Sequence, residues 1–329
     1  MLVDYNFSMS FVAYCKNKRW DIYYAVRNWY PIWYFILNRS ARSDWKKYRP
    51  RATHLESQIA ETLIKDGIAI SSFGELFPDI NFKDLGDFAK VVSETAKVRE
   101  DFLAHGEMIV ERIKAGSIRK GSRRYLKDFV VEPWGSTGNN LIPDAGNPFI
   151  RVSIHERVLT IAGLYMNILP RFRAYHLRFN LPVPVGTVEY FSQRWHRDPE
   201  DHRMLKMFIY MTDVIDVVAG PFMYVKGSQP GGHLNRLFPQ RPPASTYPEL
   251  GAVEKEISHG DIKICLGNAG TVIFADTSGL HKGGYTTANP RLMYTATYFS
   301  DAALYRSFLK HQGTTDQYSV LQKSSLSLQ

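Results

Sequence analysis

The chain is poor in cysteine and has no long apolar run. It contains only two cysteines, Cys15 and Cys265, in 329 residues. That is too few for a disulfide framework, so we expect a reducing, cytoplasmic compartment. The longest uncharged apolar run of the aromatic N-terminal segment, Trp29 to Leu37, is interrupted by Pro31 and is shorter than the roughly 20 residues of a membrane-spanning helix. Internal repeats and the pattern of a signal peptide are also absent. These absences argue against a secreted disulfide scaffold, a membrane-spanning protein and a repeat array.

Basic residues exceed acidic ones, 41 against 32, which gives a formal net charge of +9. This excess favours an anionic partner, such as a phosphate, a carboxylate, nucleic acid or an acidic lipid surface. No nucleic-acid recognition motif accompanies it, so we expect no nucleic-acid partner. A basic stretch at residues 112–127 is interpreted as a solvated face, with contact to an anionic group of the substrate as the alternative.

Residues 1–50 form a segment rich in tryptophan, tyrosine and basic side chains. Two interpretations remain open. The segment contacts a membrane surface through residues 16–47, which would place the protein on the cytoplasmic face of the membrane, or its aromatic residues pack on the core or on a second subunit. The basic residues that would face anionic lipid are Lys16, Lys18, Arg19, Arg39, Arg42, Lys46 and Lys47.

Residues 51–170 carry the spacing of amphipathic helices. A capping box formed by Thr53 and Glu56 predicts a helix that ends at Gly67. A second box, at Ser153 and Glu156, predicts another helix that ends at Pro170.

Residues 171–300 change to short β-type segments separated by glycine and proline. Six such segments without long intervening helices predict an antiparallel sandwich or barrel. They are RAYHLRFNLPV, GTVEYFSQRW, LKMFIYMTDV, GPFMYVKGS, GTVIFADTS and RLMYTATYFS. Residues 228–260 predict a long excursion over the barrel mouth, and the polar tail 311–329 is expected to fray. We therefore expect one catalytic domain at 51–310.

A candidate metal site lies in the sequence WHRD. Two residues on one strand with one residue between them point to the same side, so His196 and Asp198 present a nitrogen and an oxygen together. They are two of the three ligands of a 2-His-1-carboxylate triad, which holds Fe(II) and leaves coordination positions open. The pair alone is also compatible with an exposed, ion-paired strand end.

A third ligand and a cation follow downstream. His281 comes after a β-type segment, and Arg291 opens the next one beyond a glycine-rich turn. A hairpin would place both in one cavity. Arginine suits a carboxylate, so the four residues together fit Fe(II) with a chelating dicarboxylic acid. A zinc hydrolase could use the same three ligands but has no need of Arg291.

In the segments QRWHRDPEDHRMLKMFIYMTDVIDVVAGPFMYVKGSQ, GTVIFADTSGLHKGG and NPRLMYTATYF, the sequence resembles the phytanoyl-CoA dioxygenase-like family of Fe(II)/2-oxoglutarate-dependent oxygenases. The resemblance covers about residues 170–300. It implies an α+β fold, with a double-stranded β-helix (a jelly-roll or cupin-like barrel) as core and a mostly helical N-terminal half packed on it.

The resemblance also implies roles for individual residues. His196, Asp198 and His281 would bind iron, and Arg291 would bind the distal carboxylate of 2-oxoglutarate. Asn180 matches a position that contacts this cosubstrate, and Gln193 would lie near the metal.

The implied reaction uses Fe(II), 2-oxoglutarate and O2 to hydroxylate an unactivated C–H bond, releasing succinate and CO2. The expected substrate is a small molecule, or a lipid-linked or anionic one. Asp198 argues against a halogenase, in which the carboxylate is replaced, and Thr297 argues against nucleic-acid demethylases with a second arginine there. A catalytically silent binding protein and the zinc hydrolase remain as alternatives.

Overall fold

The computed structural model describes residues 22–93, 130–136, 141–142, 145–187, 189, 191–304 and 310–327. Its strands are β1 (Ile68–Ser72), β2 (Val130–Gly135), β3 (Leu141–Ile142), β4 (Arg171–Asn180), β5 (Leu205–Tyr210), β6 (Phe222–Val225), β7 (Ile262–Cys265), β8 (Thr271–Ala275), β9 (His281–Gly283), β10 (Arg291–Phe299) and β11 (Lys310–His311). Its α-helices are α1 (Arg39–Tyr48), α2 (His54–Asp66), α3 (Phe73–Leu76), α4 (Phe82–Ser93), α5 (Pro148–Ser153), α6 (Glu156–Met166), α7 (Ala252–Glu256) and α8 (Val320–Ser325).

Two antiparallel sheets form the barrel. The larger sheet has the order β1-β8-β5-β10-β4-β2, and the smaller has the order β7-β6-β9. A β-bridge between His196 and His281 adds the segment around His196 to the smaller sheet, next to β9. Strands β4, β5, β8 and β10 therefore form one wall, and the His196 segment with β6, β7 and β9 forms the other. Successive strands mostly alternate between the walls, so the predicted double-stranded β-helix is confirmed.

Helices cover the outer face of the larger sheet, as predicted. Helix α2 begins at the capping box of Thr53 and Glu56 and ends at Gly67, whose φ of +76° suits a glycine C-cap. It packs on α6, and both cover a core that includes Met207, Ile209 and Tyr294. The core thus lies between the helices and the sheet, and the opposite face of the sheet is left to line the barrel.

Residues 22–50 of the N-terminal segment pack on this body with one face, and Lys16, Lys18 and Arg19 lie outside the described residues. A π-helical stretch, Ile32–Leu37, precedes α1, and Trp33 and Trp45 are buried. A Cβ on Gly163 would lie 2.3 Å from the Trp45 ring, so this position requires glycine for close approach. The packing interpretation therefore holds for these two tryptophans, whereas Trp29 remains exposed. No helix among the described residues is long and apolar enough to cross a membrane.

Three local expectations were wrong. The expected strand GTVEYFSQRW is instead irregular in its described residues and contains a 3-10 turn at Phe191–Gln193, where Phe191 has a φ of +44°. Ser153 does not cap α6, because it ends α5 and its hydroxyl donates to the Phe149 carbonyl oxygen at 2.8 Å. The end of the chain does not simply fray, because α8 is capped by Ser319 and packs on α6 and β4.

Candidate metal centre

The backbone brings the two histidines together. The amide of His196 donates to the His281 carbonyl oxygen at 2.9 Å, and the amide of His281 donates back to the His196 oxygen at 3.0 Å. Asp198 is held in the same way, because its amide donates to the Thr277 carbonyl oxygen at 2.9 Å. The two histidines, distant in the sequence, thus lie on directly paired backbone segments. The hairpin expected between His281 and Arg291 was wrong, because β9 pairs with β6 in the smaller sheet and β10 pairs with β4 and β5 in the larger one.

The three predicted ligands converge on one point. His196 Nε2 lies 3.6 Å from one carboxylate oxygen of Asp198, and His281 Nε2 lies 3.7 Å from the other. All three side chains are buried, and one ligand atom of each lies within 4.8 Å of the others. The two nitrogen–oxygen separations are too long for hydrogen bonds but less than twice a metal–ligand distance of about 2.1 Å. The arrangement therefore fits one metal ion.

Both imidazoles are oriented for coordination through Nε2. The Nδ1 atom of His196 lies 2.8 Å from the Arg194 carbonyl oxygen, and Nδ1 of His281 lies 3.0 Å from the Gly279 oxygen. Each Nδ1 therefore carries the proton and donates it, which leaves a lone pair on Nε2. Burial, reinforced by the neighbouring His196, lowers the pKa of His281 to about 3. The neutral form that a metal requires is thus the resting form.

Arg197 lies between the ligands but points away from them. Its Nη1 donates to the carbonyl oxygens of Ser228 at 2.6 Å and Ser278 at 2.8 Å, and its Nε donates to the Phe238 oxygen at 2.7 Å. Neighbouring side chains in an extended segment face opposite ways, which explains this division of roles. Arg197 fastens the metal segment to the excursion between β6 and β7.

A lysine that the sequence left unassigned contacts the metal carboxylate. Lys206 Nζ donates to Asp198 Oδ2 at 2.6 Å. Burial alone would raise the pKa of Asp198, but the charge of Lys206, with His281 and His196, holds it well below its usual range. Asp198 is therefore ionised before a metal arrives. Lys206, Phe208 and Tyr210 alternate along β5 and therefore share a face. The structure shows that this face lines the barrel.

Arg291 is buried without the partners that a guanidinium needs. It is 2% exposed, and within the described chain its Nε and Nη1 atoms have no hydrogen-bond partner. Burial lowers the pKa of Arg291, and the neighbouring Tyr210 opposes this effect. A buried cation with unsatisfied donors is costly unless an anion meets it. The orphaned atoms therefore fit the carboxylate of a bound organic acid.

Asn180 and Gln193 lie beside Arg291. Asn180 is paired directly with Arg291 across β4 and β10. In the orientation of Gln193 that satisfies its amide, Asn180 Nδ2 donates to the Gln193 side-chain oxygen at 3.3 Å, and Gln193 donates to the Gly284 carbonyl oxygen at 3.1 Å. The structure thus gathers both residues at the Arg291 end of the barrel, and their contact with a cosubstrate remains a prediction.

Two contacts came from segments that carried no motif. Tyr247, in the excursion between β6 and β7, stacks on the His196 ring with centroids 5.6 Å apart. Trp33 Nε1 donates to Asp201 Oδ1 at 2.6 Å, and the other oxygen of Asp201 accepts from the Ser300 amide at 2.8 Å. The N-terminal segment therefore anchors the loop that follows Asp198. Nothing in the spacing of Trp33 and Tyr247 could have indicated these contacts.

The sequence matches no protein-family model and no curated protein. Solved structures similar to the chain include an epimerase described as "non-heme alpha ketoglutarate dependent", SnoN from nogalamycin biosynthesis (17% identity over 77% of this chain and 85% of that chain, TM-score 0.41). Another is EctD from S. alaskensis with bound Fe (16% identity over 79% and 81%, TM-score 0.46). At these values the likeness establishes no shared function.

Proposed function

We propose that the protein is a non-haem Fe(II)/2-oxoglutarate-dependent oxygenase. One observation carries this proposal: a buried His196–Asp198–His281 triad shares the barrel interior with a buried Arg291 whose donors are unsatisfied. Two nitrogens and one carboxylate are the ligand set that suits Fe(II) with open positions. Fe(II) and 2-oxoglutarate, when bound, supply oxidative decarboxylation to succinate and CO2 and the oxidation of a C–H bond.

The residues of the chain prepare the site for these groups. His196 and His281 offer Nε2, because their Nδ1 atoms donate to backbone carbonyls. Lys206 keeps Asp198 ionised and holds one of its two oxygens. Arg291 would receive the distal carboxylate of 2-oxoglutarate through its unsatisfied Nε and Nη1. Asn180 and Gln193 would border the same cosubstrate.

We further propose that the outcome is hydroxylation and that the chain is of the phytanoyl-CoA dioxygenase-like type. Support comes from the motif residues quoted above and from Asp198, which faces the other two ligands and occupies the position that chloride would need in a halogenase. Thr297 is buried opposite Lys206, so β10 offers no second arginine of the demethylase kind there.

The N-terminal segment supports the proposal of a membrane-proximal, lipid-linked substrate. Trp29 and Ile36 are each 62% exposed and Phe35 is 52% exposed. Helix α1 follows with basic residues on its surface, an arrangement that suits the interface of an anionic bilayer. The test is co-sedimentation with anionic and with neutral liposomes. Equal recovery with both would remove membrane contact from the account and leave a cytoplasmic protein.

The zinc hydrolase and the silent binding protein differ from this proposal in what they require. A hydrolase that uses the triad has no role for a buried, unsatisfied arginine, so Arg291 favours the oxygenase. A silent barrel would bind 2-oxoglutarate without consuming it.

The deciding experiment follows succinate formation from 2-oxoglutarate with Fe(II) and O2. We expect slow turnover without a substrate, lost in His281→Ala and lost when Zn(II) replaces Fe(II). Turnover with Zn(II) of an ester or amide panel, with no succinate, would instead support the hydrolase.

A further inference from the structure

A polar cluster on the barrel wall takes no part in the chemistry assigned above. Glu132 on β2 accepts from Arg178 Nε at 2.8 Å and lies 3.1 Å from His176 Nδ1, both on β4. Gly135 allows this packing, because a Cβ there would lie 2.3 Å from the Glu132 carboxylate. We name Glu132, His176 and Arg178 the β4 cluster.

The register places the β4 cluster on the cavity side of the sheet. His176 is opposite Thr295 on β10, and Thr295 is opposite Phe208 on β5. Directly paired residues share a face of the sheet. Phe208 packs on Phe222, which lies 5.7 Å from the His281 ring. The face that carries His176 is therefore the face that looks toward the metal ligands, and Arg178, two residues along β4, shares it.

The side chains of the β4 cluster each keep one protonation state at neutral pH. Burial on its own would raise the pKa of Glu132, but His176 and Arg178 lower it to about 2. Burial, followed by the charge of Arg178, lowers the pKa of His176 to about 4. At neutral pH an ionised Glu132 therefore holds Arg178 by one nitrogen, beside a neutral His176.

The rest of the Arg178 guanidinium is available to a ligand. Within the described chain only its Nε is bonded, and Nη1 and Nη2 have no partner there. The side chain is 40% exposed, so these groups are accessible rather than enclosed. Four N–H donors in a plane, anchored from behind by a carboxylate, form the fork that binds carboxylates and phosphates through two parallel hydrogen bonds.

We propose that Arg178 binds an anionic group, a carboxylate or a phosphate, of the molecule that the protein oxidises. This inference rests on the proposed function, because it places the oxidised molecule in the same cavity as the triad. Arg291, which pairs with Asn180 two residues along β4 from Arg178, would be occupied by the cosubstrate, which leaves Arg178 for a second anion. The basic stretch 112–127, the other candidate for this role, lies outside the described residues.

The test uses protein loaded with Mn(II) and 2-oxoglutarate, so that the triad and Arg291 are filled. Inorganic phosphate and acetate are the probes, and the paramagnetic relaxation of their 31P and methyl signals by Mn(II) reports binding inside the cavity. We expect relaxation with at least one probe, and the stronger probe identifies the anion as phosphate or carboxylate. Arg178→Gln should weaken that binding at least about tenfold, the loss of one charge-assisted interaction. Arg178→Lys keeps the positive charge but not the planar pair of donors, so its affinity for the probe should lie between those of the wild type and Arg178→Gln.

Controls separate this inference from misfolding and from the proposed function. Arg151→Gln alters a comparably exposed arginine, 48% exposed and paired with Asp79 outside the barrel. This variant should leave the relaxation of both probes as in the wild type. The affinity of Arg178→Gln for 2-oxoglutarate should equal that of the wild type. Equal relaxation of the probes in wild type and Arg178→Gln, or none in the wild type, would overturn the role of Arg178. If Mn(II) and 2-oxoglutarate do not bind at all, the proposed function fails, and calorimetric titration of phosphate into metal-free wild type and Arg178→Gln still decides on Arg178.

Discussion

Replacing Arg291 with methionine should stabilise the empty protein and abolish its response to 2-oxoglutarate. The side chain is 2% exposed and its Nε and Nη1 are unsatisfied. A buried, unsatisfied donor costs about 1–3 kcal/mol, and a charged one costs more. Methionine fills similar space without this cost. We therefore expect the free energy of unfolding to rise by at least about 1 kcal/mol, which is a few degrees in melting temperature.

The same substitution should weaken 2-oxoglutarate binding severely. Two hydrogen bonds from a charged donor contribute about 1.5–3 kcal/mol each, so the dissociation constant should rise about 10²- to 10⁴-fold. In the wild type, a ligand at a hundred times its dissociation constant stabilises the fold by about 2.7 kcal/mol. Arg291→Met should show almost none of this gain at the same concentration.

Thermal unfolding with Mn(II), with and without 2-oxoglutarate, measures both effects. Arg151→Met, at an exposed arginine outside the barrel, is the matched control and should respond like the wild type. A less stable empty Arg291→Met protein that still gains the full shift from 2-oxoglutarate would refute the reasoning, because Arg291 would then be a satisfied structural cation.

Three further predictions concern the surroundings of the site. Lys206→Met removes the donor to the Asp198 carboxylate, so the melting temperature in EDTA should fall. The rise in melting temperature on adding Mn(II) should exceed that of the wild type. An unchanged melting temperature in EDTA would contradict this role of Lys206. Gly163→Ala should lower the free energy of unfolding in urea by about 1–3 kcal/mol, because the added methyl group overpacks against a buried tryptophan. Gly86→Ala, which has open space in α4, should raise it by about 1 kcal/mol. Equal changes in the two variants would contradict the close packing at Gly163. Burial raises the pKa of Asp276 to about 6, so between about pH 4 and 6 the folded state keeps a proton that the unfolded state has lost, and stability should fall by up to about 3 kcal/mol as the pH rises. Asp276→Asn should flatten this fall in denaturant titrations across that range, and a slope equal to that of the wild type would exclude Asp276 as its cause.

The convergence of His196 and Asp198 was predictable from the sequence because it is local, and their role as metal ligands stays a prediction. Both side chains point to one side through the two-residue period of an extended segment. The approach of His281 to them depends instead on a β-bridge between segments distant in the sequence. The contribution of Lys206 was not predictable in the same way. Alternation on β5 defines two faces, but only the position of the opposite sheet shows which of them meets Asp198.

Tertiary contacts also limited what the sequence could predict about the helix ends. Thr53 and Glu56 cap α2 because both side chains are free to bond to its first turn. Ser153 and Glu156 have the same spacing, but the Ser153 hydroxyl is already bonded to the Phe149 carbonyl oxygen and lies 2.7 Å from the Tyr294 hydroxyl. A tertiary contact to β10 thus competes with the cap, and no pattern within the helix reveals it. The division of the chain at residues 50 and 310 stays a prediction.

The central claim is tested most directly by adding Fe(II) and 2-oxoglutarate to the metal-free protein under nitrogen and recording the visible charge-transfer band of the chelate. We predict a band in the wild type, no band in His196→Ala, and a band in Arg291→Ala only at much higher 2-oxoglutarate concentration. A folded wild-type protein that binds Fe(II) but shows no band would contradict the account, because 2-oxoglutarate would then not chelate the metal.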